Sequence, residues 1–116
     1  MEDCLFCKII EGKISSDKVY EDEFVLAFKD IHPVAPIHVL VIPKKHIKDV
    51  NELDEENIKY ISKVYLAIKK VAKICNIDES GYRVICNAGE DGGQVVHHIH
   101  FHLLGGRHLG SKLVKE

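Results

Sequence analysis

No apolar run in this chain approaches the roughly 20 residues that a membrane-spanning helix needs. The opening Met1-Glu2-Asp3-Cys4 lacks the basic stretch and apolar segment of a secretory signal, so a cytoplasmic location and no membrane partner are expected. Positive charge is not in excess either. Sixteen Lys and Arg stand against 18 Asp and Glu, a formal net charge of −2, whereas a nucleic-acid binder needs a basic stripe. No nucleic-acid partner is expected, although a small anion held by a local cluster of donors is compatible with that balance. No internal repeat, low-complexity segment or linker divides the sequence. The 116 residues, 46% hydrophobic and 29% charged, are therefore expected to form one domain over 1–116, with about 109–116 as a C-terminal tail.

The four cysteines do not read as two disulfides. Cys75 and Cys86 fall within apolar helical and strand patterns, where thiols pack like small hydrophobes. Cys4 and Cys7 form a Cys-x-x-Cys pair, which in a cytosolic chain points to metal or redox chemistry rather than a structural bridge.

Taken in order, Asp3 can cap a short helix through Cys4–Ile10, which Gly12 stops. Strands are expected at 19–22, 24–28 and 37–43. The last is apolar enough to be buried on both faces, with His38 as its one polar interruption. A packing helix is expected from about 54 to 77, with Ile58, Ile61, Tyr65, Ile68, Ala72 and Cys75 on one side. A fourth strand spans 82–87, and the Gly-rich loop 89–94 leads into a fifth. Together these predict an α+β fold, a mostly antiparallel five-stranded sheet with one long helix and a short N-terminal helix.

The fifth strand is the most unusual stretch. From His98 onward, histidine alternates with large apolar residues through His98-Ile99-His100-Phe101-His102-Leu103. Successive strand side chains point to opposite faces, so the three imidazoles share one face roughly 6–7 Å apart. That spacing suits a phosphate-sized group or a metal. Neutral imidazole is a nucleophile toward phosphorus near pH 7, and crowded imidazoles resist being protonated together. Gly89, Gly92 and Gly93 permit backbone N–H groups to face an anion, although such glycines commonly just make turns. His32, His97 and His108 are expected at the surface or in loops.

The pattern Gln94-x-x-x-His98-Ile-His100-Phe-His102-Leu-Leu resembles the signature of the histidine triad (HIT) superfamily. The resemblance runs from Phe6-x-Lys8-Ile9-Ile10 through Ala35-Pro36-x-His38 and Ile42-Pro43-Lys44-Lys45-His46-Ile47 to Leu104-Gly105-Gly106-Arg107. The last two segments resemble the Hint-like branch, the purine nucleoside phosphoramidases. It implies a nucleotide hydrolase or transferase that cleaves the P–N or P–X bond of purine nucleoside phosphoramidates or adenylated small molecules. His100 would be the nucleophile, forming a transient nucleotidyl-histidine and releasing a nucleoside monophosphate. His102 and His38 would contact phosphate oxygens and assist the leaving group, and His98 would support the site. Asp30 would accept the ribose hydroxyls; Asn87, Gly93, Gln94 and Val95 would lie by the phosphate; Leu5, Phe6, Ile9, Phe28 and Ile31 would line the purine slot. No catalytic metal is implied. Bacterial-type relatives suggest a structural zinc on Cys4, Cys7, His46 and His98, and the family implies a homodimer. Two departures stand out. Val95 occupies a position where relatives carry Ser or Thr, and the tail lacks their aromatic, Pro-containing ending. The alternatives are a dinucleoside polyphosphate hydrolase, a nucleotide-binding regulatory module with little turnover, and a zinc protein whose histidines serve metal alone.

Overall fold

A single antiparallel sheet with different cargo on its two faces organises the molecule. The computed structural model describes residues 3–111. In chain order the elements are α1 (Leu5–Ile10), β1 (Lys18–Glu21), β2 (Val25–Lys29), β3 (Ile37–Pro43), a 3-10 turn at Val50–Glu52, α2 (Ile58–Ile74), β4 (Tyr82–Ile85) and β5 (Phe101–Gly105). The strands lie in the order β1-β2-β3-β5-β4, each neighbouring pair antiparallel. This is the α+β architecture expected from the sequence. No helix among the described residues is long and apolar enough to cross a membrane.

The period-two alternation of side chains sorts two cores. Val25, Ala27, Val39, Val41, Phe101 and Leu103 project to one face and meet Val64, Ala67, Ile68, Val71 and Ala72 of α2. Leu26, Phe28, Leu40 and Ile42 project to the other face and meet Cys4, Phe6, Cys7 and Ile9 of the α1 segment. Strand β3 is buried along nearly its whole length because both layers need it. His38 and the histidines of the β5 segment lie on the α1 side, next to this second core.

Several expectations are corrected in detail. Cys4, not Asp3, caps α1: its Sγ accepts the Cys7 N–H at 3.3 Å. Helix α2 is shorter than 54–77, since Asp54 and Asn57 spend their side chains on turn N–H groups and Cys75 closes the helix. Its buried stripe is also rotated. Ile58 and Tyr65, expected inside, are 46% and 52% exposed, while Val64, Ala67 and Val71 fill the core. Strand β5 begins only at Phe101, and β4 ends at Ile85. Before Phe101 the chain stays close enough to extended for Ile99 to enter the helix-side core and for His98 and His100 to be buried. Its bonds there go to a loop instead of a strand: the Ile99 N–H donates to the Ile47 carbonyl at 2.6 Å.

Candidate functional site

The β3–β5 register places Leu40 opposite His102 and Leu104 opposite His38. His38 and His102 are thus diagonal neighbours on one sheet face, a separation that long side chains bridge. Their rings meet, with His38 Nε2 2.9 Å from His102 Nδ1. The other side of His38 is occupied as well: its Nδ1 accepts the Val34 N–H at 3.2 Å. A neutral His38 therefore carries its proton on Nε2, which faces His102 Nδ1 and, at 3.4 Å, Asp30 Oδ2. His102 is left with Nδ1 as acceptor and Nε2–H as donor.

His100 is oriented by a different group. Its Nδ1–H donates to the carbonyl of His98 at 2.8 Å, leaving Nε2 with a free lone pair. Phe6 packs edge-on against the ring, centroids 5.1 Å apart, and His102 lies on another side at 5.2 Å. Burial lowers the pKa of His100 and of His38, partly offset by the Asp30 carboxylate. His102 is pushed down to about 4 by burial first, then by the neighbouring His100 and His38 rings. The three rings are thus held neutral at pH 7, one of them with an unshared pair.

His98 turns away from these rings. It is fully buried, and its Nε2–H donates to the Pro43 carbonyl at 2.8 Å, which aims the Nδ1 lone pair at the Cys4–Cys7 pair. Nδ1 lies 3.4 Å from Cys4 Sγ, 3.6 Å from Cys7 Sγ and 3.2 Å from His46 Nδ1, and His46 Nδ1 lies 3.4 Å from Cys7 Sγ. A tetrahedral zinc with ordinary bond lengths separates its ligands by about 3.3–3.4 Å for N···N and about 3.5–3.6 Å for S···N. The observed edges fall close to those values, so Cys4, Cys7, His46 and His98 fit a closed Cys₂His₂ centre. The Pro43 carbonyl is the outer partner that such a histidine ligand commonly has. The Ile47–Ile99 bond holds the loop carrying His46 beside His98. Burial raises the Cys7 thiol to about 11, reinforced by Cys4, and lowers His98 to about 4. Both shifts register how costly uncompensated charge is at this spot.

Asp30, His38 and His102 also lie within ligand distance of one another. They do not suit a metal as they stand. The Val34 N–H claims His38 Nδ1, so Nε2 bears the proton and has no lone pair to give.

The remaining expected residues divide. Phe6, Ile9 and Phe28 pack together in the α1-side core, whereas Leu5 and Ile31 lie at the surface, 44% and 86% exposed. Asn87 is half-buried and Val95 exposed. The Gly-rich loop is corrected as a nest of donors. Gly93, with φ 82°, donates its N–H to the Glu90 carbonyl, Gln94 N–H goes to Gly89, and Gly89 N–H goes to Gln94 Oε1. Those three donors are consumed inside the loop. Gln94 is a buried clamp: its Nε2 donates to the Lys48 and Val96 carbonyls at 2.7 and 3.1 Å. A cleft of about 600 Å³ opens beside the Cys/His cluster, walled by Asp3, Cys4, Leu5, His46, Lys48, Glu52 and residues 95–97; His100, His102 and His38 are not in its wall. Sequence reasoning missed the backbone groups of Val34 and Pro43. Every residue offers a carbonyl and all but proline an N–H, so residue type carries no signal for such roles.

The comparisons with known proteins bear on the family and the fold. The HIT domain model matches residues 11–109. The purine nucleoside phosphoramidase of Escherichia coli K12 is 46% identical over 112 residues, 97% of this chain and 94% of that one. Among solved structures, a HIT family hydrolase from Clostridium thermocellum superposes with a TM-score of 0.96 at 49% identity, covering 98% of this chain and 99% of its own. A histidine triad protein from Clostridium difficile superposes with a TM-score of 0.93 at 47% identity, with 97% of each chain covered. A family model spanning most of the chain, relatives matched nearly end to end and a shared fold make this protein a member of the HIT family.

Proposed function

We propose that this HIT protein is a cytoplasmic hydrolase of purine nucleoside phosphoramidates or adenylated small molecules, releasing a nucleoside monophosphate. The observation that carries the reading is His100: buried, neutral, anchored through Nδ1–H to the His98 carbonyl, and left with an unshared pair on Nε2. That pair attacks the α-phosphorus as the P–N bond breaks. The bonding electrons go to the departing nitrogen, which takes a proton from the His38–His102 pair through His102 Nε2. For this step the pair holds one proton more than its neutral count, drawn in by the phosphate charge. Water then adds to phosphorus, the electrons of the N–P bond return to His100, and the water's proton returns to the pair.

Asp30, at the end of β2, is placed to accept ribose hydroxyls. Phe6, Ile9 and Phe28, with Leu5 and Ile31 at the rim, form the apolar lining for a purine. Asn87, Gly93 and Val95 border the phosphate, and Gln94 holds their loop. Cys4, Cys7, His46 and His98 would hold a zinc ion, which would neutralise the two thiolates. His98 would thereby be held rigid, with its carbonyl aimed at His100. A homodimer is supported by apolar side chains on the outside of α2 and on β4: Tyr65, Leu66, Ile74 and Tyr82 are 39–56% exposed.

The test is AMP release from an adenosine phosphoramidate by the wild type and by His100→Ala. The variant should lose about 10³-fold or more in kcat. Equal release by both proteins would overturn the assignment. Val95, 86% exposed where relatives carry a hydroxyl, favours a second reading: a nucleotide binder with little turnover. Val95→Ser then separates the two. Turnover rising severalfold identifies the missing hydroxyl as what limits this enzyme, and an unchanged rate removes Val95 as a reason for slow chemistry.

A further inference from the structure

Val34 and Arg107 have no part in the chemistry above, yet both bear on the His38–His102 pair. The Val34 N–H donates to His38 Nδ1 at 3.2 Å, and an Arg107 guanidinium nitrogen donates to the Val34 carbonyl at 3.4 Å. The residue is held from both sides. Counting protons shows what that does. His38 Nδ1 keeps its lone pair while it accepts the Val34 N–H. The 2.9 Å gap between His38 Nε2 and His102 Nδ1 has room for one proton, because two N–H groups aimed at each other repel. His102 Nε2 holds another. Two protons make a neutral pair, and a third can enter only at His38 Nδ1, where the Val34 N–H sits. The cleavage step above needs that third proton.

We propose that the Val34 N–H, steadied by Arg107, is a lock on the acid of this site. It fixes His38 as the Nε2–H tautomer, turns the Nε2–H of His102 toward the substrate, and keeps the pair at two protons until bound nucleotide turns Val34 away. The proposal rests on the reading of His102 as proton donor, although its first test does not. The segment that must move runs from Asp30 to Pro36. Asp30 Oδ1 accepts the His32 N–H, and Asp30 Oδ2 faces His38 Nε2 at 3.4 Å. A ribose gripping Asp30, with a base against Ile31, pulls on the same segment. The titratable groups around the pair are Asp30 beside His38 and His100 beside His102, centroids 5.2 Å apart in the latter case. Val34 and Arg107 are positioning residues in this scheme; neither touches substrate.

The first test reads tautomers directly, by ¹⁵N NMR of the imidazoles in the zinc-loaded, full-length protein with and without AMP. Free protein at pH 7 should show His38 as the Nε2–H form. Saturating AMP should give His38 an Nδ1–H, leave His102 protonated at Nε2, and shift the Val34 amide resonance. A His38 that stays Nε2–H at saturation overturns the lock. The second test is Val34→Pro, which removes the donor. The alkaline limb of its kcat/KM profile, where the pair loses the proton that cleavage needs, should move up by about one pH unit, a tenfold gain in the pair's proton affinity. Arg107→Ala, which leaves the backbone donor in place but frees the loop, should move it the same way by less, and guards against misfolding of the proline variant. An alkaline limb unmoved in a folded variant of either kind overturns the proposal. Should His100→Ala keep full activity, the catalytic reading fails, while the NMR experiment still decides the lock.

Discussion

His98, His100 and His102 are the same side chain at alternate positions, and each has one ring nitrogen committed to a different partner. Pro43 takes the Nε2–H of His98, the His98 carbonyl takes the Nδ1–H of His100, and His38 meets Nδ1 of His102. What each ring presents to its surroundings is whatever its partner leaves over: a lone pair facing Cys4, Cys7 and His46, a free lone pair on His100, and an N–H on His102. The His102 environment makes a pH prediction. Its folded pKa lies near 4, against an ordinary value of 6.5, so in that window the unfolded chain binds more protons than the folded one. Stability contributed by His102 is therefore fully present above pH 6.5 and lost as pH falls toward 4. Urea denaturation at several pH values should show this fall, and His102→Gln should flatten it. An identical slope in the variant would mean the acid sensitivity lies elsewhere. The spacing of the histidines was legible in the sequence, because period two is a property of any extended chain. Their division of labour was legible only through the family resemblance, since what enforces it is backbone carbonyls and amides, which residue type does not mark.

At the scale of elements, the short α1 is tied to the rest of the molecule by Phe6 and Ile9 and by its Cys4–Cys7 pair, which faces His46 and His98. Cys4→Ser should abolish stoichiometric zinc in metal analysis and lower the melting temperature. A chelator should lower it in the wild type and leave the variant unmoved. Zinc retained at full occupancy in Cys4→Ser would discard this ligand set. On the opposite face, Leu103 is fully buried between the sheet and α2, so Leu103→Ala should cost about 2–5 kcal/mol in chemical denaturation. The existence and order of the elements were legible from periodicity. Their ends and faces were less so. Helix α2 carries apolar residues on more than one side, and the pattern alone chose Ile58 and Tyr65 where packing chose Val64, Ala67 and Val71. The β5 segment loses its first residues as ladder because Ile99 bonds to Ile47.

For the whole molecule, the apolar outside of α2 and the edge strand β4 lie open to a second copy. Leu66→Glu puts a charge on that surface and, for the homodimer proposed above, should shift sedimentation equilibrium to the monomer. A variant that stays as associated as the wild type would place the interface elsewhere. By itself the sequence determined the α+β class, the two-faced sheet, the family, and the residues around which a site could form. The class and the sheet follow from side-chain type and spacing, which local geometry translates without reference to distant parts of the chain; the family and its site residues follow from the resemblance of the histidine motif. The resemblance already grouped His98 with Cys4, Cys7 and His46; the physical cause, a Pro43 carbonyl that turns the ring toward them, came only from the tertiary structure. The tertiary structure also decided that the Gly-rich loop spends donors on itself and that Val34 reaches His38. Those outcomes depend on which backbone groups of remote segments arrive within about 3 Å of a ring nitrogen, the distance at which a hydrogen bond selects one tautomer over another.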